Sequence, residues 1–78
     1  MWSRRAQKHL SGLPTTLQLR IVRKVESAGK DPLRSFERLT GEEVWRMRVG
    51  DYRVIADIRL TERTLEVVAV GHRRSICR

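Results

Sequence analysis

Residues 44–55 read Val44-Trp45-Arg46-Met47-Arg48-Val49-Gly50-Asp51-Tyr52-Arg53-Val54-Ile55. Trp45, Met47 and Val49 alternate with Val44, Arg46 and Arg48, a period of two that specifies an extended strand. Gly50-Asp51 breaks the run with a two-residue hairpin signal. Tyr52, Val54, Ala56, Ile58 and Leu60 then alternate with Arg53, Ile55, Asp57 and Arg59. One face of this hairpin is apolar and the other carries Arg46, Arg48, Arg53 and Arg59. Thr61 to Thr64 is a turn, and Leu65 to Val70 is a third strand ending at Gly71. Short turns between successive strands require an antiparallel meander.

Upstream the period changes. Ser3 can cap a first helix, and Ala6, Leu10 and Leu13 form one stripe at helical spacing. Gly12 and Pro14 end it. Leu17, Ile21, Val25 and Ala28 form a second stripe, widened by Val22, with Arg20, Arg23 and Lys24 mostly off it. Gly29 is placed as a left-handed terminator. Asp31-Pro32 blocks further helix. Leu33, Phe36 and Leu39 are expected to tack the following loop onto the core, with Gly41 as a turn. The expected fold class is α+β: a helical hairpin packed on a small antiparallel sheet. The expected layout of the 78 residues is one domain: helices at about 3–28, a loop at 30–42, a three-stranded meander at about 43–70 and a basic tail at 71–78.

Composition narrows the function. Lys and Arg total 17 against 9 Asp and Glu, a formal charge of +8, and all but three of those cations are arginine. The calculated pI is about 11.3. Polyanions such as RNA or DNA, or an acidic protein, are the expected partners. The longest apolar run, Val67 to Val70, is four residues, far short of the roughly 20 that span a bilayer. Met1-Trp2-Ser3-Arg4-Arg5 has no apolar run behind it, so no signal peptide is expected. The single cysteine, Cys77, excludes an internal disulfide and a Cys-rich zinc site. His9, His72 and one cysteine give no zinc spacing. A cytoplasmic protein without metal or cofactor, and without a membrane partner, is expected. His9 is read as a surface residue, and Trp45 and Tyr52 as packing residues.

The hairpin and the ending Val68-Ala69-Val70-Gly71-His72-Arg73-Arg74 resemble the RelE/ParE toxin superfamily. Arg5-Ala6-Gln7-Lys8-His9-Leu10 through Leu13-Pro14 is similar to that family's first helix and turn. The resemblance covers nearly the whole chain and is nearer the RelE branch, whose members cleave messenger RNA on the ribosome. The ParE branch poisons DNA gyrase. The resemblance implies two helices against an antiparallel sheet whose other face binds RNA. It also implies a partner, an antitoxin with an acidic, amphipathic segment. Two departures stand out. Family members begin with a β-strand, which only Met1-Trp2 could supply here, so that strand is expected to be absent or a stub, with an open sheet edge. And Cys77 stands where RelE-like members commonly carry a tyrosine.

The implied chemistry needs no metal. The 2′-hydroxyl of RNA attacks its own adjacent phosphate, leaving a 2′,3′-cyclic phosphate and a 5′-hydroxyl. Guanidinium groups suit the charged phosphorane because each binds two oxygens. By resemblance, Arg46 and Arg53 hold the phosphate and Arg73 stabilises the transition state or leaving group. Arg48, Arg59 and Arg74 are expected RNA contacts. His72 is the nearby side chain of a type that titrates near neutrality, and is the candidate for proton transfer. The alternatives are a gyrase poison, a catalytically weakened homologue, or a nucleic-acid-binding protein without toxicity. In the plainest reading, the sheet arginines are only a solvated face.

Overall fold

The computed structural model describes residues 1–38 and 44–72. The expected roles of Leu39, Gly41, Arg73, Arg74 and Cys77 lie outside the described residues. Helix α1 spans Arg4–Ser11, α2 Thr15–Ala28 and the single-turn α3 Pro32–Ser35. Strands β1 (Glu37–Arg38), β2 (Trp45–Val49), β3 (Tyr52–Arg59) and β4 (Thr64–His72) form one antiparallel sheet in the order β1-β2-β3-β4. The sheet thus has a fourth strand beyond the expected meander. α3 and β1 occupy a segment expected to be loop. Two residues are too few for an alternation to register, and β1 exists because β2 supplies its partner: Glu37 pairs with Arg46 and Arg38 with Trp45.

Local rules explain the helices. Ser3 Oγ accepts a hydrogen bond from the Ala6 backbone N–H at 3.1 Å, capping α1. Ala6 from α1 and Ile21, Val25 and Ala28 from α2 are buried. They meet Phe36 and the sheet residues Met47, Val49, Val54, Ala56, Val67 and Val70 in one core. Ile21, Val49, Val54 and Val67 are its largest fully buried side chains, each worth about 1.5–3 kcal/mol over an exposed position. Gly29 ends α2 with φ −62°, a right-handed conformation rather than the expected left-handed one. Gly50 has φ +61°, as the β2–β3 hairpin demands. Arg63 takes φ +53° in the β3–β4 turn.

Two features shape β4. Its register steps from Ile55↔Ala69 to Ala56↔Val67, leaving Val68 as an extra, bulged residue. Its outer edge is covered by the start of the chain. Trp2 makes a parallel bridge to Val67. Val67 N–H donates to the Met1 carbonyl and Ser3 N–H to the Val67 carbonyl, both at 2.8 Å. Ser3 Oγ donates to the Val68 carbonyl at 3.2 Å. Further along, Val70 N–H donates to His9 Nδ1 at 3.1 Å. The expected stub is therefore present, and it serves the edge that seemed open. His9 is half-buried and binds α1 to β4, which corrects its reading as a surface residue.

Candidate functional site

Cross-strand partners project to the same face of a sheet, and neighbours along a strand to opposite faces. Arg48 pairs with Arg53, and Arg46 with Ile55. All three arginines therefore stand on the face away from the buried Val49 and Val54. On that face Ile55 also pairs with Ala69, and Arg53 with Gly71. Ile55 and Ala69 are each 8% exposed and form an apolar floor. Two arginines directly opposite each other cost stability, so folding does not explain them.

These side chains line a cleft of about 490 Å³ together with Lys24, Arg34 and Glu37. Lys24 comes from α2, Arg34 from α3 and Glu37 from β1. Among the described residues of the cleft, five cations thus face one carboxylate. Arg46 Nη2 lies 3.5 Å from Glu37 Oε1, with Arg46 mostly buried at 26% side-chain exposure and Glu37 open at 77%. Arg53 Nε is buried and has no hydrogen-bond partner. A buried guanidinium N–H left unpaired costs about 1–3 kcal/mol or more. An oxyanion entering the cleft would relieve that cost. The arrangement can bind a phosphodiester along two or more of its oxygens.

The other expected site residues divide. Arg59 lies on the outer end of β3, paired with Asp57 at 3.6 Å and Glu62 at 3.5 Å, and does not line the cleft. His72 pairs with Tyr52 across the sheet, and their rings meet edge to face at 5.4 Å. Tyr52 pairs with the fully buried Val49. His72 therefore stands on the helix-facing side, opposite the arginines, and the expected grouping of His72 with them is corrected. The cause is the bulge at Val68, which inverts the alternation of β4 beyond it. Sequence reasoning missed Lys24, Arg34 and Glu37 as site residues. Lys24 was legible as a cation off the apolar stripe of α2; Arg34 and Glu37 carried no signal.

The profile of a family described as the ParE toxin of the type II toxin–antitoxin system parDE matches residues 1–76. The chain belongs to that toxin family. Among solved structures, the RelBE2 toxin–antitoxin complex of Mycobacterium tuberculosis matches with a TM-score of 0.86 and 25% identity, covering 94% of each chain. The RelB–RelE complex of Methanococcus jannaschii matches with a TM-score of 0.76 and 22% identity, over 96% of this chain and 92% of that one. The intact RelBE complex of E. coli matches at 0.76 and 18%, over 91% and 90%. No curated protein matches significantly. This toxin of the RelE/ParE superfamily thus has the α+β fold of those neighbours, and each neighbour was solved with a RelB-type antitoxin. Among the toxin's described residues, no helix is long and apolar enough to cross a membrane.

Proposed function

We propose that this toxin is a RelE-like messenger RNA endonuclease that acts on the ribosome and stops translation. The observation that carries the reading is the cleft in which Arg46, Arg48 and Arg53 stand together, with the orphaned Arg53 Nε buried among them. Arg46 and Arg53 grip the scissile phosphate, and Arg48 holds a further phosphate on the same strand face. Arg73, by its place in the motif, stabilises the phosphorane or the leaving 5′-oxygen, and Arg74 adds a contact. Charge concentrated on a fixed scaffold suits phosphorane stabilisation, since it needs no reorganisation when charge develops. The +8 charge exceeds what one phosphate needs and suits a protein that also holds ribosomal RNA. In the cytoplasm an antitoxin with an acidic, amphipathic segment covers this surface until release.

Cell-free translation of a defined messenger, with cut sites mapped by primer extension, tests the reading. Cuts in register with codons, found only on translating ribosomes and lost with Arg46→Ala and with Arg73→Ala, are the expected result. An intact messenger in the presence of folded, antitoxin-free toxin refutes it. The ParE description of the matched family favours a second reading, a poison of DNA gyrase. Under that reading toxicity survives Arg46→Ala and a DNA-damage response accompanies it.

A further inference from the structure

Cleavage by the 2′-hydroxyl requires a group that takes its proton, and the arginines cannot supply one, being protonated at any physiological pH. His72 stands on the other face of the sheet. Among the described residues lining the cleft, Lys24, Arg34, Arg46, Arg48 and Arg53 are cations, and Glu37 alone carries a carboxylate. Its position is specific. Glu37 is the direct cross-strand partner of Arg46, and its Oε1 lies 3.5 Å from the guanidinium. At 77% exposure it is open to a substrate, whereas Arg46 at 26% is held by its surroundings. A carboxylate in a cleft built for phosphates repels the ligand, so on affinity alone it is out of place.

We propose that Glu37 is the catalytic proton acceptor of this site; the inference rests on the ribonuclease reading above. The scissile phosphate displaces the Glu37 carboxylate from Arg46, and the guanidinium closes on the phosphate oxygens. The 2′-hydroxyl belongs to the sugar on the 5′ side of that phosphate, so gripping the phosphate brings the hydroxyl beside the freed carboxylate. Glu37 takes the hydroxyl proton as the 2′-oxygen forms its bond to phosphorus. The bond from phosphorus to the 5′-oxygen breaks, its electron pair stays on that oxygen, and the oxygen takes a proton from solvent water. The products are a 2′,3′-cyclic phosphate and a 5′-hydroxyl. Glu37 returns its proton to the hydroxide left in solvent, so the balance closes without a further reactant.

Single-turnover cleavage on programmed ribosomes, with full-length wild-type toxin, Glu37→Gln and Glu37→Asp, is the test. Ribosome binding is measured in parallel, and each variant's melting temperature is compared with wild type. Glu37→Gln is expected to cut at least about 100-fold more slowly, the usual contribution of a positioned base. It should bind the ribosome as tightly as wild type or more so, because a repelling charge is gone. Glu37→Asp should recover part of the rate, because it restores a carboxylate at the same strand position. Glu37→Gln cutting at the wild-type rate overturns the proposal. Faster cutting with tighter binding also overturns it, and would mark Glu37 as a mere blocker of Arg46. If wild-type toxin binds the ribosome but cuts nothing, the ribonuclease reading itself fails. That result is distinct from a wild type that cuts and a Glu37→Gln variant that cuts equally well.

Discussion

The two faces of β2 and β3 come from the same residues in alternation, yet they obey different demands. The inner face carries Met47, Val49, Val54 and Ala56, all buried against Ile21, Val25 and Ala28 of α2. Its residues are what hydrophobic burial selects. The outer face sets Arg48 opposite Arg53 and leaves Arg53 Nε without a hydrogen-bond partner. Each of those features opposes folding. The inner face is therefore where stability is generated, and the outer face is where some of it is given up for a binding surface.

Mutations can break this contrast from either side. Truncating the inner face should show the largest effect: Ile21→Ala should lower unfolding free energy by about 2–5 kcal/mol in a denaturant titration. For a chain of 78 residues that approaches the whole stability. Arg53→Ala should reverse the pattern. Messenger cleavage should fall about 100-fold or more, while the melting temperature holds or rises, since a like-charge contact and an orphaned donor both disappear. A lower melting temperature in that variant would sink the idea that the outer face is costly. His9→Ala removes the acceptor of Val70 N–H and loosens α1 from β4, for a loss of about 1 kcal/mol. Hydrogen exchange at the Val70 amide should accelerate with it. Arg59→Ala should show the smallest effect. Its two ion pairs are exposed at 63% on the Arg59 side, so less than about 1 kcal/mol is at stake, and cleavage should not change.

Much of this was legible from local pattern. The helices followed from the stripes of Ala6, Leu10 and Leu13 and of Leu17, Ile21, Val25 and Ala28. The hairpin followed from Gly50-Asp51, and the two faces of β2 and β3 from period two. The misses share a cause. Strand β1 has two residues and no period of its own, so only its pairing with Trp45 and Arg46 defines it. His9 looked like one more polar residue on a basic helix, because its partner, the Val70 amide, is 61 positions away. Glu37 sat in apparent loop, and nothing local marks a carboxylate that a later strand will place beside Arg46.

His72 shows the division most clearly. If β4 alternated strictly from the core-facing Leu65, residues 67, 69 and 71 would face the helices and His72 would join the arginines. One bulged residue, Val68, shifts the core positions to Val67 and Val70 and sends His72 to the far side. The sequence by itself determined the two long helices, the three long strands, the charge and which of those strands' residues are arginine, because propensity and periodicity act over a few neighbouring positions. Only the tertiary structure decided which of those residues meet. Pairing, register and bulges are settled between segments distant in the chain, and they placed Glu37 with the arginines and His72 away from them.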